Sequence, residues 1–360
     1  MIANVSIFRE DNKMNTNKNN KNIKPKSKVK IKKGKKNRKK INFKTLIIFF
    51  AFEMLFTACT FPFMILYGPF ESAKSTYVGA AMTSGSHQFL VKWFMSDAKI
   101  AEIQGQNSVE TNGEKTDLSQ INIPKIKDDT IEIHTIEGNS KYNGYYMVIK
   151  DPTRVKIGVT SKLGVEGETT SQIAEENGAI AAINGGGFVD QSSTQAWTGN
   201  GGLPTGVVMT GGKVVNDDLN GKATTCLGIT KEGKMMVGDY TVNELKEQGV
   251  QEAVSFTPAL IIGGKKLTIN GDGGFGIAPK TAIGQRQDGA IILMVIDGRE
   301  IGSFGATVKE VQEIMYQLGA INAINLDGGK STTMYYDGDI INKPSNSMGE
   351  RTIATAIIVK

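Results

Sequence analysis

The sequence at residues 320–333 reads AINAINLDGGKSTT. Its first seven residues are mainly apolar, as in a buried strand, and Asp327, two glycines and three hydroxyl side chains follow. The glycines carry no Cβ, so backbone N–H groups can approach a ligand, and Asp327 can act there as a base, a nucleophile or a metal ligand. A phosphate-binding P-loop would need glycine at position 324, which is Ile. The pattern therefore predicts a polar site at a strand end that is not a P-loop.

A second copy of this pattern lies upstream, at a constant offset of 141 residues. Gly178 to Asn184 reads GAIAAIN, and Gly319 to Asn325 reads GAINAIN. Each copy follows a predicted short helix, since Thr307 and Glu310 form a capping box before the later one and Thr170 begins the earlier one. We expect two equivalent strand ends that converge on one pocket, although short apolar runs of this kind also occur in ordinary core strands.

Charge is distributed unevenly along the chain. Residues 1–45 contain 16 Lys and Arg against two acidic residues, a net charge of +14, whereas the remaining 26 basic and 34 acidic residues give −8. The Asn/Lys-rich tail has few apolar residues to bury and is predicted to be disordered. Such a tail is also compatible with nucleic-acid binding.

An apolar segment at residues 46–66 favours a different role for the tail. It reads LIIFFAFEMLFTACTFPFMIL and is long enough to cross about 30 Å of hydrocarbon. By the positive-inside rule, the basic tail at 1–45 is cytoplasmic and the C-terminal part is extracellular, which predicts a single-pass cell-membrane protein. A cleaved signal peptide and a lipoprotein site at Cys59 are the alternatives. We expect the membrane, and no nucleic acid, to be a partner.

The exported part divides into two predicted regions. Residues 67–129 are interpreted as a juxtamembrane stalk and linker, in which the amphipathic stretch 87–95 lies on the outer membrane face or pairs with itself. From residue 130 to 360, alternating apolar strands and glycine turns predict one α+β domain with a mixed or mainly antiparallel sheet. Few helices are expected in it, at 171–177, 308–318 and about 241–248.

Four clusters of polar residues follow predicted strands or turns within 75 residues. Because an arginine fork donates two parallel hydrogen bonds, its repeated occurrence beside glycine turns favours a shared site for an anion such as phosphate. The clusters are Thr281–Arg286, Asp297-Gly298-Arg299, residues 325–333, and Asn342–Arg351.

These residues, in this order, resemble the phosphodiester glycosidase family. The resemblance is carried by residues 182–188, Arg286, 297–299, 325–332 and 342–351, and it covers roughly residues 130–360. It implies hydrolysis of a sugar-1-phosphodiester at the glycosidic C–O bond, with cell-envelope glycans or teichoic-acid-like polymers as the expected substrates.

The roles expected in such a site divide between carboxylates, cations and hydrogen-bonding groups. Asp327 is the first choice for nucleophile or base, and Asp297 for its partner carboxylate. The cations assigned to the phosphate are Arg286, Arg299 and Arg351, with Lys330 as a possible fourth. The groups expected to orient sugar and phosphate oxygens are Asn184, Gly185, Gly186, Gly328, Gly329, Ser331 and Asn342.

No cofactor is expected to be required, although Asp297 and Asp327 could share a divalent cation such as Ca²⁺. His87 and His134 lie outside the motifs, so a Ser-His-Asp mechanism is not expected. Two other classes of function remain open at this point. One is a non-catalytic module for binding envelope polysaccharide or for exopolysaccharide biosynthesis, and the other is nucleic-acid binding through the tail at 1–45.

Overall fold

The computed structural model describes residues 42–82, 87–105, 109–110, 113–136, 141–189, 200–300 and 302–360. The basic tail at 1–41 lies outside the described residues, so its predicted disorder remains a prediction. The helices of the described residues are α1 (Phe43–Tyr67), α2 (Glu71–Met82), α3 (Phe89–Lys92), α4 (Asp97–Gly105), α5 (Thr170–Glu176), α6 (Val242–Glu247) and α7 (Val308–Gln317). The three helices predicted beyond residue 130 are confirmed as α5, α6 and α7.

Short strands make up most of the remaining regular structure. They are β1 (Val109–Glu110), β2 (Ile131–Thr135), β3 (Gly144–Ile149), β4 (Val155–Val159), β5 (Ala181–Asn184), β6 (Phe188–Val189), β7 (Leu203–Pro204), β8 (Val207–Thr210), β9 (Lys213–Asp217), β10 (Thr224–Thr230), β11 (Met235–Tyr240), β12 (Val250–Ser255), β13 (Ala259–Ile262), β14 (Lys265–Lys266), β15 (Thr268–Ile269), β16 (Lys280–Arg286), β17 (Ile291–Ile296), β18 (Ala320–Leu326), β19 (Met334–Tyr336), β20 (Asp339–Ile340) and β21 (Thr355–Val359).

Three larger sheets organise these strands. Their orders are β14-β13-β18-β16-β17-β3-β2, β11-β10-β12-β8-β9, and β20-β19-β5-β21-β4. Every strand pair among the described residues is antiparallel. The prediction of an α+β fold with few helices and a mainly antiparallel sheet is therefore confirmed.

The main hydrophobic core contains side chains from all three sheets. It includes Leu293 of β17, Ile183 of β5 and Leu227 of β10. A second cluster lies under α7, whose Val311 and Met315 pack on the opposite face of the seven-stranded sheet. Since β17 is covered on both faces, all six of its residues are apolar and buried.

The two predicted helix-strand units have the same local construction. Thr307 and Glu310 form the capping box of α7, and Gly319 follows the helix with a φ of 85°. In the earlier unit the capping residue is Thr169, one residue before the predicted Thr170, and Gly178 has a φ of 60°. Positive φ is accessible to glycine without a Cβ clash, so each glycine ends its helix and turns the chain into the next strand.

The described residues between 67 and 129 pack into the fold and do not form a separate stalk. Helices α2, α3 and α4 pack together around Val78, Val91, Ile100 and Leu66. Further along, β1 pairs with β15, and the Thr116 hydroxyl lies 3.2 Å from Asn322 Oδ1 on β18. The predicted boundary at residue 130 is corrected accordingly, because these contacts with residues far along the chain make the segment part of the folded unit.

Helix α1 contains the predicted apolar segment and extends it by three residues at its start and one at its end. By length and composition it is one candidate membrane span among the described residues. A signal sequence near an N-terminus meets the same criteria. The compact C-terminal unit begins at Leu55, within this helix.

Candidate active site

The ends of β5 and β18 meet, as the repeated pattern predicted. Asn184 Nδ2 donates a hydrogen bond of 2.5 Å to the carbonyl oxygen of Asp327, and the Asp327 N–H donates one of 3.2 Å to the Gly185 carbonyl. The Asn184 side-chain oxygen accepts from the Thr281 hydroxyl at 2.8 Å and from the Thr333 N–H at 3.2 Å. Asn184 is fully buried. Together with the Gly185 carbonyl, it holds both the N–H and the carbonyl group of Asp327.

A cavity of about 90 Å³ lies where β18 ends. The predicted residues that line it are Asp327, Gly328, Gly329 and Arg299. Lys280 and Asn325 contribute polar groups, and the remaining lining residues are Phe256, Phe275, Ala278, Pro279 and Leu326. The arrangement combines one carboxylate, two basic side chains and two aromatic rings around a small space, which is the usual composition of a polar-ligand site with an apolar wall.

Arg299 reaches this cavity because of an unusual backbone turn after β17. Its φ is 64°, a conformation uncommon for residues other than glycine. The preceding residue must be glycine, since a Cβ at Gly298 would lie 2.8 Å from the Gly305 Cα and from the Phe304 carbonyl oxygen. Desolvation lowers the pKa of Arg299, and the negative charge of Asp327 opposes this shift, so the two side chains form an electrostatic pair.

Gly328 and Gly329 are required by close contacts in the turn itself. A Cβ at Gly328 would lie 2.6 Å from the Pro279 carbonyl oxygen, which also accepts the Gly329 N–H at 3.0 Å. Gly329 has a φ of 64°, and a Cβ there would lie 3.4 Å from both terminal nitrogens of Arg299. A side chain at Gly328 would push the turn away from Pro279, and one at Gly329 would be strained by the positive φ and would touch the guanidinium group.

Lys280 is a site residue that the sequence argument missed. It is buried at the start of β16, where its Nζ donates to the carbonyl oxygens of Gly276 at 3.2 Å and Ala278 at 3.3 Å. Burial, followed by the positive charge of Arg299, lowers the pKa of Lys280 to about 7. Its signal in the sequence is a lysine directly before the strand residues Thr281-Ala282-Ile283, although lysine is rarely buried.

Three polar side chains of residues 325–333 have unused hydrogen-bonding capacity. Asn325 donates from Nδ2 to the Thr257 carbonyl at 3.0 Å, and its Oδ1 is buried without a partner among the described residues. The buried hydroxyls of Ser331 and Thr333 also lack a partner among these residues. Asn325 lines the cavity, and its Oδ1 is a buried acceptor with unused capacity.

Asp297, the predicted partner carboxylate, is placed differently. It is 2% exposed, and its Oδ1 accepts from Asn342 Nδ2 at 2.8 Å and from the Lys343 N–H at 3.1 Å. Burial raises the pKa of Asp297, and the hydrogen bonds from Asn342 and Lys343 oppose that rise. Asn342 also donates to the Thr332 carbonyl and accepts from the Met334 N–H. Both predicted residues therefore support the turn that follows Asp327, and neither lines the cavity.

Gly185 and Gly186 were predicted to contact a ligand. In the structure they allow close packing of β5 against its neighbours. A Cβ at Gly185 would lie 2.6 Å from the Thr355 hydroxyl, and one at Gly186 would lie 2.5 Å from the Ser255 carbonyl oxygen. The Gly186 N–H donates to the Thr355 hydroxyl at 3.1 Å. These glycines let β5 and its turn lie against the neighbouring strands.

Three predicted cations lie outside the cavity lining. Arg286 is at the far end of β16, paired with Ala320 at the start of β18, and its guanidinium lies 2.5 Å from Asp288. Arg351 lies over the ring of Phe188, 4.9 Å from its centre, and Lys330 is exposed on the turn. Because Asp327 follows the end of β18, antiparallel pairing separates Arg286 from it by the length of the strand, and the prediction that Arg286 shares this site is corrected.

The divalent cation suggested for Asp297 and Asp327 would depend on these two carboxylates. No group of three or more His, Cys, Asp or Glu among the described residues could hold a metal ion. The Asp297 carboxylate accepts two N–H donors, and Asp327 interacts with Arg299, while a cation shared by these two acids stays a prediction.

Two wider grooves, each of about 570 Å³, flank helix α7. Their linings include His134, Tyr146 and Glu313 in one and Phe304 and Lys309 in the other. The predicted site residues line neither of them. The cavity at Asp327 remains the candidate active site because opposite charges, buried polar groups and turn glycines converge there.

The arrangement suits an anionic ligand next to a carbon that becomes positively charged. Arg299 and Lys280 can bind phosphate oxygens, and Asp327 can attack or stabilise an electron-poor carbon or take a proton from water. Phe256 and Phe275 can cover an apolar sugar face. The support network of Asn184, Asp297 and Asn342 limits movement of the turn during such a reaction.

Comparisons with known proteins agree on one family. A family model described as phosphodiester glycosidase matches residues 177–360. The chain is 27% identical over 216 residues to the SPbeta prophage-derived uncharacterized protein YomE of Bacillus subtilis (strain 168). This match covers 58% of this chain and 31% of that protein. It is 28% identical over 196 residues to the N-acetylglucosamine-1-phosphodiester alpha-N-acetylglucosaminidase of Bos taurus, covering 49% of this chain and 35% of that protein. The chain thus spans about a third of the length of these relatives.

A solved structure shares the fold. The zebrafish N-acetylglucosamine-1-phosphodiester alpha-N-acetylglucosaminidase catalytic domain, auto-inhibited by its pro-peptide, matches with a TM-score of 0.56 and 23% sequence identity. The match covers 68% of this chain and 87% of that chain.

Proposed function

The chain belongs to the phosphodiester glycosidase family, and we propose that it is a membrane-anchored extracellular hydrolase that cleaves the glycosidic C–O bond of sugar-1-phosphodiesters. The observation that carries this proposal is the pairing of Asp327 with Arg299 in a cavity that Lys280 also lines. The Bos taurus relative is named for activity on the same class of bond. The substrates proposed are cell-envelope glycans or teichoic-acid-like polymers.

The proposed reaction divides its charge between the two sides of the cavity. Breaking the bond between C1 and the phosphate oxygen releases a phosphomonoester, which takes the bonding electron pair. Arg299 and Lys280 stabilise that developing negative charge, while the carboxylate of Asp327 stabilises the positive charge at C1. Asp327 either attacks C1 or takes a proton from the attacking water, and water supplies the new oxygen on the sugar.

The test is hydrolysis of a panel of sugar-1-phosphodiesters and teichoic-acid fragments by the full chain in ¹⁸O-labelled water. Cleavage of the C–O bond places ¹⁸O on the sugar C1 hydroxyl, whereas cleavage of the P–O bond places it in the phosphate. We expect the label on the sugar, with activity lost in Asp327→Asn and kept in Asp339→Asn, a matched change at an exposed acid of β20.

Two results would contradict the proposal. Label in the phosphate would assign the chain a phosphodiesterase reaction. A panel member that binds to the folded protein without being cleaved would instead favour the non-catalytic polysaccharide-binding module.

A further inference from the structure

One wall of the cavity contacts the part of the chain that follows the apolar helix. The segment 272–280, named here the pocket loop, contributes Phe275, Ala278 and Lys280 to the cavity lining. Its Gly276 carbonyl accepts a hydrogen bond from Lys280 Nζ. Any element that holds the pocket loop therefore also positions a basic group of the site.

Helix α2 holds that loop through contacts of the backbone. A Cβ at Gly79 of α2 would lie 2.9 Å from the Gly274 carbonyl oxygen, and one at Gly276 would lie 2.9 Å from the Ala80 Cβ and 3.0 Å from the Thr76 carbonyl oxygen. Glycine on both sides lets the helix and the loop pack this closely. The opposite side of α2, with Val78 and Ala81, joins the cluster of α3 and α4.

Only residues 68–70 separate α2 from the end of α1 at Tyr67. At 1.5 Å per helical residue, Gly79 lies about 12 Å along α2 from Glu71. Even a fully extended connection adds no more than about 14 Å. Gly79, where α2 meets the pocket loop, thus lies within roughly 26 Å of the point where the candidate membrane span ends, a distance set by the chain itself.

Exposed aromatic side chains surround the end of α1. We name Phe63, Tyr67, Phe89 and Trp93 the aromatic patch; they are 57%, 60%, 42% and 76% exposed. The Tyr67 hydroxyl donates to the Phe94 carbonyl, and the rings of Phe63 and Phe94 lie 5.4 Å apart. These contacts place α3, with Phe89 and Trp93, beside the last turns of α1. Tyr and Trp favour the membrane-water interface, so the patch matches the edge of a bilayer.

Resting on the proposed function and its membrane anchor, we propose that the natural substrate is a glycosyl phosphodiester whose phosphate is attached to a lipid in the same membrane as the protein. The aromatic patch contacts the interface of that membrane, and α2 fixes the pocket loop at the height of a lipid headgroup with its sugar. The bond broken is again the one between the sugar C1 and the phosphate oxygen, and the leaving group is a lipid phosphomonoester that stays in the bilayer.

Charge outside the tail supports membrane delivery over capture from solution. Residues 46–360 carry a net charge of −8, which repels a diffusing anionic substrate. A substrate confined to the same bilayer reaches the cavity without electrostatic attraction over long distances, because its local concentration is raised by confinement.

The test uses the full chain in vesicles and two probes with the same sugar and the same scissile bond. One is the methyl phosphodiester of N-acetylglucosamine-1-phosphate, which is soluble, and the other is its hexadecyl phosphodiester, which inserts into membranes. The hexadecyl probe is supplied in the protein's own vesicles or in separate vesicles. We expect cleavage in the protein's own vesicles to be at least tenfold faster than cleavage of the methyl probe at equal total concentration, with the probe in separate vesicles left intact.

Two other outcomes separate the lipid-linked substrate from the proposed hydrolase function. Equal cleavage of the methyl probe and both hexadecyl arms would overturn the lipid substrate and leave the proposed hydrolase function standing. If no probe and no member of the wider panel is cleaved by the folded protein, the proposed function fails, and the lipid-linked substrate fails with it.

The aromatic patch is tested by the double variant Phe89→Ala/Trp93→Ala. We expect roughly tenfold slower cleavage of the hexadecyl probe in the protein's own vesicles and an unchanged rate on the methyl probe, which also shows that the variant folds. Tyr316→Ala is the matched control, an exposed aromatic residue near the end of α7, and should alter neither rate. An equal loss on both probes, or no loss on either, would contradict the role of the patch.

Discussion

Asp327 is held by its backbone and faces a cation with its side chain. Hydrogen bonds to Asn184 and Gly185 fix its main chain, and Arg299 provides the opposite charge. This combination separates it from an acid at the surface, which would be solvated and mobile. The residue therefore combines a fixed main chain with a neighbouring cation, as a catalytic carboxylate requires.

Replacing Asp327 by Asn keeps the shape of the side chain and removes its negative charge. We expect Asp327→Asn to lower kcat by at least about 10³-fold, because neither attack on C1 nor proton removal is then available. The measurement is turnover of a cleaved panel substrate, with thermal unfolding as a check on the fold. Activity close to that of the Asp339→Asn control would contradict this role of Asp327.

The two arginines that the structure separates provide a matched pair. Arg299→Ala should lower kcat/KM by about 10²–10³-fold, as for loss of one charge-stabilising donor. Arg286→Ala removes a half-exposed ion pair with Asp288 at the other end of the sheet and should change kcat/KM by less than about threefold. Steady-state kinetics of both variants measures the two effects. A larger loss of kcat/KM in Arg286→Ala than in Arg299→Ala would place the phosphate elsewhere.

Lys280 should make the stability of the domain depend on pH. Burial lowers the pKa of Lys280 from 10.5 to about 7, so between these values the unfolded chain binds more protons than the folded chain. The free energy of unfolding then rises with pH across this window, and the full cost of the buried charge is present below pH 7.

Lys280→Met replaces the charge with an apolar side chain of similar length. We expect this variant to unfold at a higher temperature than the original chain at pH 6, by an amount corresponding to about 1–4 kcal/mol, and to lose most of that advantage by pH 10. Calorimetry at the two pH values measures the difference. The variant should also bind phosphate more weakly at pH 6, and a stability gain independent of pH would contradict the assigned pKa.

Among the packing contacts between secondary-structure elements, the one between α2 and the pocket loop was not predicted from the sequence. Gly276 has a φ of 61° and faces Ala80, whereas Gly249, after α6, has a φ of 73° and no atom within 4 Å of a Cβ built on it. The two glycines have the same kind of backbone conformation in different surroundings.

This difference gives a controlled test of the contact. Gly276→Ala and Gly249→Ala should both lose about 1 kcal/mol of stability from the positive φ. Only Gly276→Ala should also lower kcat, by about tenfold or more, because the loop that positions Lys280 must move away from α2. Equal kcat in the two variants would show that α2 does not control the geometry of the site.

The distribution of charge along the chain predicts its orientation in the membrane. With the basic tail at 1–45 before the apolar helix, we expect the tail in the cytoplasm and residues 130–360 outside. Protease added to intact cells should then degrade the C-terminal domain and spare an epitope placed in the tail. Degradation of the tail with the domain protected would reverse the orientation and remove the extracellular assignment.

Features that depend on neighbouring residues were determined by the sequence alone. The capping box of Thr307 and Glu310, the glycine stops at 178 and 319, and the apolar strand before Asp327 need only contacts within a few residues. Each therefore has a recognisable local pattern. The repeat and the ordered motifs between residues 182 and 351 were sufficient to indicate the family and to predict an α+β fold.

Which charged residues line the cavity depends on the tertiary structure. Lys280 and Arg286 stand on the same strand, and the antiparallel register of β16 with β18 places Lys280 beside the end that carries Asp327 and Arg286 beside Ala320. Asp297 likewise follows a strand end in the sequence, yet its carboxylate turns to Asn342. Strand register and side-chain direction depend on partners far away in the chain, so no local pattern of charges distinguishes a residue that lines the cavity from one that supports it.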